Sequence, residues 1–299
     1  MRILVSGATG IVGRFVVEHL LAQGHEVLAG VRAATHTLPF SRPVETTLLS
    51  LDPDATLPDF DGCDALVHAA FQHLPGRYRG GEGNDPDGFR RANLHGSVRL
   101  FEAAKHAGVR RCIFLSSRAV YGRQPDGILL TEDMTPAPES LYGIVKWEAE
   151  QALRALSGED FVTASLRATG VYGLLSDLPH KWETLARDYL SGRPVEDRVG
   201  TEVHGDDLAA AILLLLTTDA TLVSGRAFNA SDLLMSHHDV LSELQQATAC
   251  VHPLPKPLDK SLFHPMDTSR LRSLGWHPGG TERFRADIAA LSEHLTDNR

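Results

Sequence analysis

Cysteine is scarce in this chain: 299 residues hold three, Cys63, Cys112 and Cys250. Their spacing matches neither a CxxC redox motif nor a zinc-binding set, and few scattered thiols suit a reducing cytoplasm. Long apolar runs are also missing, since none approaches the roughly 20 residues that a membrane span needs. The longest, around Ala209 to Leu216, reads as a buried helix. The apolar start at Ile3 is soon broken by glycines and has no cleavage pattern, so no secretory leader is expected. Positive charge is not in excess. The formal net charge of -9 gives no general attraction to nucleic acid or to an anionic membrane. The 15 histidines form no HxxxH or HExxH pattern, and His237 and His238 are adjacent, so they cannot share a helix face. No metal site is expected. The stretch Gly83-Asn84-Asp85-Pro86-Asp87-Gly88 lacks the alternating ligands and closing glutamate of a calcium loop and reads as a turn. There is no internal repeat and no long low-complexity segment.

What is present is a hydrophobic content of 42%, enough to bury a large core. Arg2–Ser6 reads as a short buried strand. A glycine-rich turn follows, then Val12, Val16 and Leu20 at helical spacing until Gly24, then a second strand over Glu26–Val31. Further strands are predicted at Thr46–Leu49, Ala65–His68, Arg111–Ser116 and Phe161–Leu166, with helices at Phe89–Ala107 and Leu141–Leu156 between them. This alternation predicts an α/β fold, a doubly wound parallel sheet with helices on both faces. After Arg167 the pattern loosens. Helical segments at Trp182–Leu190, Asp206–Leu216, His238–Thr248 and Thr281–Leu295 are separated by proline- and glycine-containing stretches. The expected division is a doubly wound domain over 1–170, which the glycine motif described next marks as a dinucleotide-binding Rossmann domain, and a mixed segment over 171–299. The latter completes the sheet and forms a small C-terminal substrate-binding lobe. The glycine-rich, polar stretch Pro75–Gly88 reads as a mobile loop after the fourth strand, on the edge where such sheets bind ligands.

The first turn is Gly7-Ala8-Thr9-Gly10-Ile11-Val12-Gly13. Glycines there permit a tight turn and close approach of backbone to a pyrophosphate, and the next helix points its N-terminus at that anion. A turn that only packs strand on helix is the plainer alternative. The position between strand and helix at the start of the chain favours the dinucleotide. At the end of the second strand, NAD sites usually carry an acid for the ribose 2′-hydroxyl. Here Gly30-Val31-Arg32 stands instead. With no carboxylate to repel a 2′-phosphate and Arg32 to pair with one, the expected cofactor is NADP, with NAD left open. A solvated surface arginine is the alternative for Arg32.

Tyr142 and Lys146 lie one turn apart on the second of these helices. A lysine ammonium near a phenol favours phenolate, so the tyrosine can exchange a proton with a substrate oxygen while hydride moves at carbon. Alone, the spacing describes a surface pair as well. The segment Ile113-Phe114-Leu115-Ser116-Ser117-Arg118-Ala119-Val120-Tyr121-Gly122 adds serines at the carboxyl end of a strand, the edge that faces the ligand crevice. A serine there can bond the reacting oxygen and orient it, or merely bond its own backbone.

Together these residues resemble the extended short-chain dehydrogenase/reductase superfamily, in its NAD-dependent epimerase/dehydratase branch, over nearly the whole length. The Gly7–Gly13 motif, His68-Ala69-Ala70, Asn93 with Gly96 and Leu100-Phe101-Glu102-Ala103-Ala104, Ser116–Gly122, and the Tyr142/Lys146 pair carry the resemblance. Arg167–Gly173, Val203–Ala209 and Leu274-Gly275-Trp276-His277-Pro278 are similar to three further landmarks. The resemblance implies that Ser117 is the catalytic serine and Tyr142 the acid/base, and that Lys146 also bonds the nicotinamide ribose. It implies that Gly7, Gly10 and Gly13 hold the pyrophosphate with Thr9 and Ile11 beside them. It further implies that Asp52 contacts the adenine and that His68, Ala69 and Ala70 line the cofactor channel. It implies a homodimer through Phe89–Ala107 and Leu141–Leu156.

Two departures narrow the function. Dehydratases of this family carry Thr-Asp-Glu where this chain has Ser117-Arg118-Ala119, so dehydration is disfavoured. UDP-galactose-type epimerases place an asparagine where this chain has Gly170, which puts a UDP-sugar substrate in doubt. Lys181, Arg187, Arg193 and Arg198 offer phosphate partners, with an ordinary solvated surface slightly favoured. Trp182 is read either as a sugar-stacking ring or as core. The leading expectation is a cytoplasmic dehydrogenase or reductase acting on a sugar-like or other hydroxy/keto small molecule. An epimerase with no net redox is the alternative, and a non-catalytic dinucleotide sensor a lesser one.

Overall fold

The structure is a computed structural model that describes residues 1–33, 38–74, 77 and 80–297. Strand β1 (Arg2–Ser6), helix α1 (Ile11–Ala22) and strand β2 (Glu26–Val31) form the expected opening unit. Next come β3 (Glu45–Leu48), β4 (Ala65–His68) and α2 (Pro86–Arg90), which runs through a π-helical turn (Arg91–Gly96) into α3 (Ser97–His106). Strand β5 (Arg111–Ser117) leads through a 3-10 turn (Arg118–Tyr121) to α4 (Leu141–Leu156) and β6 (Val162–Ala168). The remainder contains β7 (Gly170–Tyr172), α5 (Glu183–Leu190), β8 (Val199–His204), α6 (Gly205–Thr217) and α7 (Ala220–Val223). It ends with β9 (Arg226–Ala230), β10 (Leu233–Ser236), α8 (His237–Thr248), α9 (Ser269–Arg272) and α10 (Gly280–Asp297).

The main sheet has the order β3-β2-β1-β4-β5-β6-β9, and its neighbouring strands are parallel. It is the doubly wound α/β sheet of the Rossmann type. The order reverses between β1 and β4, which opens a crevice at the carboxyl ends of those strands. Parallel strands need both faces covered. On one face α1 and α6 supply Val16, Val17, Leu20, Leu208, Ile212 and Leu215 to a core with Ile3 and Val5. On the other, α3 and α4 supply Leu100, Phe101, Val145, Ala149 and Leu153. A three-stranded sheet, β10-β8-β7, packs with α5, α8 and α10 around Tyr172, Trp182, Tyr189, Leu241 and Phe284.

Trp182 is core: it is 5% exposed and stacks on Tyr172 at 5.0 Å between centroids. The expected loop over Pro75–Gly88 falls partly on residues 75, 76, 78 and 79, which lie outside the described residues. Its last part is helical rather than loop, because Asp85 accepts a hydrogen bond from the Gly88 amide and caps α2, with Pro86 at the first helical position. The second half is expected to complete the sheet, but the sequence pattern gives no positions for the short strands β7, β8, β9 and β10. β9 (Arg-Ala-Phe-Asn-Ala) has no β-branched residue, and its strand conformation comes from pairing with β6.

Candidate active site

The turn between β1 and α1 is built on backbone contact. Gly7 has φ +69°, and a Cβ there would lie 2.7 Å from Ala70 Cα. A Cβ on Gly13 would lie 2.1 Å from the Gly7 carbonyl oxygen. The Gly10 amide donates to that carbonyl at 3.0 Å, and the Arg14 amide donates to Gly10 O at 2.8 Å. Among the described residues no side chain caps α1, and its first turn carries no acid. Its leading N–H groups and positive dipole end are thus left for an anion. Thr9 and Gly10 are exposed and Ile11 is half-buried. This cradle fits the pyrophosphate of a dinucleotide. Arg14, one residue past Gly13, is buried and pairs with Asp177 at 2.7 Å, which ties the segment after β7 to the first turns of α1.

His68, expected along the cofactor channel, does not reach it. Its side chain is fully buried against Phe101 and Phe114. Burial, with Lys146 adding to it, pushes the imidazole down to about 3, so it is neutral. Ser97 Oγ donates to Asn93 O at 2.6 Å and therefore accepts from His68 Nε2–H at 2.8 Å. Nδ1 then accepts from Ser6 Oγ–H at 2.6 Å. Ser6 Oγ in turn accepts the amides of Ala69 and Ala70, both at 3.1 Å. His68 thus clamps from behind the two alanines that press on Gly7. No sequence motif announced Ser6 or Ser97 as the other halves of this clamp.

Arg32 is exposed just past β2, and the next residues, 34–37, lie outside the described residues. Asp52 is exposed as well, and its carboxylate accepts from Arg91 at 2.7 Å and from the Asp54 amide at 3.1 Å.

The Ser-Tyr-Lys set converges where β5 meets α4. Ser140 caps α4 through its hydroxyl, which accepts the Gly143 amide at 3.2 Å. A Cβ on Gly143 would stand 2.6 Å from Ala119 O. The first turn of α4, with Tyr142, is therefore pressed on the 3-10 turn that Ser117 caps by accepting the Ala119 amide at 3.1 Å. Lys146 is 2% exposed and donates through Nζ to Leu115 O at 2.6 Å, two residues before Ser117. Its ammonium lies 4.5 Å from the Phe71 ring centre and 4.7 Å from that of Phe114. The Phe71 ring meets Tyr142 edge-on at 5.1 Å. Burial pushes the Lys146 ammonium down to about 7, against the pull of Glu150 one turn further along. Phe71 was not expected here. Asn93, in the π-helical turn, fixes the neighbouring Gln72 by accepting its amide at 2.6 Å and donating to its carbonyl at 2.7 Å.

Behind Lys146 runs a buried polar chain. Ser116 donates to Glu150, whose carboxylate pairs with Arg167 at 2.8 Å. Arg167 reaches Tyr121 Oη at 3.0 Å, and Tyr121 donates to Asn229 at 2.7 Å. Burial opposes the Arg167 charge, but Glu150 and Tyr121 hold the guanidinium above its ordinary range. A cleft of about 440 Å³ opens on the far side of this chain, lined among others by Trp147, Gln151, Arg154 and Arg270. Its lining contains none of Ser117, Tyr142 or Lys146.

Residues 3–231 match the model of the NAD dependent epimerase/dehydratase family. The chain is 28% identical over 312 residues to a UDP-glucose 4-epimerase of Corynebacterium glutamicum, covering 94% of this chain and 92% of that one. It is 30% identical over 164 residues to a putative dihydroflavonol 4-reductase of Synechocystis, covering 53% of this chain and 46% of that one. The fold superposes on a Thermus thermophilus UDP-glucose 4-epimerase crystallised with NAD, with TM-score 0.76, 26% identity and 99% of both chains covered. The chain belongs to the NAD dependent epimerase/dehydratase family of the extended short-chain dehydrogenase/reductases.

Proposed function

We propose that the chain is an NAD(P)-dependent oxidoreductase acting on a sugar-like or other hydroxy/keto small molecule. The observation that carries this reading is the convergence of Tyr142, Lys146 and the turn capped by Ser117 at one end of the crevice. A bound nicotinamide supplies or accepts the hydride. Tyr142 passes a proton to or from the substrate oxygen, Ser117 Oγ bonds that oxygen, and the Lys146 ammonium favours the phenolate. Gly7, Thr9, Gly10, Ile11 and Gly13 would cradle the pyrophosphate, with Ala69 and Ala70 as the opposite wall. Lys146 would bond the nicotinamide ribose and Asp52 the adenine end. Arg32, with no acid at that position, favours NADP over NAD. In this reading residues 1–170 bind the cofactor, and residues 171–299 complete the sheet and cover the substrate.

Replacing Tyr142 by Phe should lower turnover by about 10²–10⁴-fold while nicotinamide nucleotide binding persists. Unchanged turnover would refute the mechanism.

A second reading, an epimerase with no net redox, is favoured by the near full-length likeness to UDP-glucose 4-epimerases. Mass spectrometry of nucleotide released on denaturation separates the two. Stoichiometric, tightly held NAD supports the epimerase and counts against the NADP preference. An empty protein that reversibly binds NADPH supports the oxidoreductase.

No described helix is long and apolar enough to cross a membrane, which is compatible with the cytoplasmic setting we propose. We also propose a homodimer through α3 and α4, which pack side by side on one face of the sheet. Sedimentation at monomer mass would refute it.

A further inference from the structure

Gly170 stands two residues past Ala168, which pairs in register with Ser117 across β6 and β5. Two chain steps of about 3.8 Å and one strand spacing of about 4.8 Å place Gly170 within about 12 Å of Ser117. A sugar-sized substrate and its hydrogen bonds span that distance.

A Cβ on Gly170 would lie 2.2 Å from Lys181 Nζ and 2.3 Å from Glu202 Oε2. The space in front of this glycine is therefore taken by an ion pair. Glu202 lies directly across from Gly170 in the β7–β8 register, and its other oxygen stands 3.2 Å from where a Cβ on Gly200 would be. Two glycines thus leave room around one carboxylate. The Glu202 side chain is 10% exposed, whereas that of Lys181 is 31% exposed and reaches solvent.

Two of the other candidate phosphate partners are engaged. Arg187 pairs with Glu183 and Arg193 with Asp188. Arg198 is exposed and lies just before β8, and its charge favours the ionised form of Glu202.

We propose that the Lys181–Glu202 pair is the substrate-reading element of the crevice, taking the hydroxyls of a neutral polyhydroxy substrate and rejecting nucleoside diphosphates. The proposal rests on the oxidoreductase reading above. A carboxylate accepts two hydroxyl hydrogens, and the ammonium keeps donors beyond the one used on Glu202. The pair carries no net charge. A diphosphate would have to pull Lys181 from Glu202 and leave a buried carboxylate unpaired, or lie against that carboxylate, and both are unfavourable.

Calorimetric titration of UDP-glucose into the cofactor-saturated protein tests this. The wild-type protein should show no saturation below about 1 mM, a free energy no better than about -4 kcal/mol. Glu202→Gln frees Lys181 and should tighten UDP-glucose by at least about tenfold, with an affinity that falls as salt rises. Glu202→Met removes the buried charge altogether and serves the same purpose should Glu202→Gln fail to fold. Micromolar binding to the wild-type protein, or no gain in either variant, overturns the proposal. Fluorescence of NADH and NADPH in the same samples keeps the two failures apart. A protein that binds neither cofactor sinks the oxidoreductase reading itself. One that binds cofactor and also micromolar UDP-glucose sinks only the role given to the pair.

Discussion

Lys146 is the residue on which the site's electrostatics turn. Its ammonium is buried, held by one carbonyl and two ring faces, and pushed from its ordinary 10.5 down to about 7. Between those two values the unfolded chain binds a proton that the folded chain does not. Unfolding free energy therefore rises with pH across that window, by up to about 1.4 kcal/mol per pH unit from this group. Below about 7 the group is charged in both states, and the full cost of burying it is present. Lys146→Met removes the group, so the stability of wild type minus variant should climb between pH 7 and pH 9. Urea unfolding at both pH values measures it, and a difference that stays flat would show that Lys146 is not depressed. The Tyr142/Lys146 spacing was legible in the sequence because a helix fixes which residues share a face. Phe71 and the Leu115 carbonyl were not. One reaches the lysine through the fold from a distant segment, and the other is backbone, which no residue type announces. The same holds for His68: its motif was legible, but its burial behind Ala69 and Ala70 depends on Ser6 and Ser97, residues from two other elements.

At the scale of elements, the β1–α1 turn shows how a motif becomes geometry. Gly13 is not needed for a left-handed backbone. It is needed because the Gly7 carbonyl occupies the place of its Cβ, 2.1 Å away. Gly13→Ala must push α1 off the turn, at a cost of about 1–3 kcal/mol in stability for such overpacking. Because the displaced N–H groups are those that would face the pyrophosphate, nicotinamide nucleotide affinity should fall by at least about tenfold, or about 1.4 kcal/mol. Fluorescence titration with NADPH reads this loss, and an unchanged affinity would remove the turn from the cofactor site. Strands β1, β2, β4 and β5 were legible because a parallel strand covered on both faces is a nearly continuous apolar run, and β6 because Val162, Ala164, Leu166 and Ala168 alternate with polar residues. Strand β9 was not, because Arg226-Ala227-Phe228-Asn229-Ala230 carries no such run. Asn229 sits in it fully buried and bonded to Tyr121, Leu130 and Asp267. A strand specified by a polar network cannot be recognised until its partners are in place.

At the scale of the whole molecule, the division we propose near residue 170 is one of roles and not of folding units. Strand β9 returns from the second half to pair with β6 from Ala164 to Ala168. Helix α6 covers α1, and Leu208, Ile212 and Leu215 share one core with Val16, Val17 and Leu20. Arg111, at the start of β5, donates to Leu215 O at 3.1 Å and Thr218 O at 2.8 Å, which ties the first half to the end of α6. A chain ending at residue 170 would expose the edge of β6 and the apolar face of α1 together. A bare edge strand beside an uncovered core face is an aggregation site. We therefore expect residues 1–170 expressed alone to be insoluble or to unfold without a cooperative transition. The full chain should lose its far-ultraviolet circular dichroism and its tryptophan fluorescence at the same urea concentration. Two of the three tryptophans, Trp182 and Trp276, lie after residue 170, so the signal is read in a Trp147→Phe background, where fluorescence reports on the second half alone and circular dichroism on both. Two separated transitions would mean that the cofactor-binding half holds its sheet without β9 and α6. Coincident ones would mean that the residues covering the substrate also hold the cofactor crevice in shape.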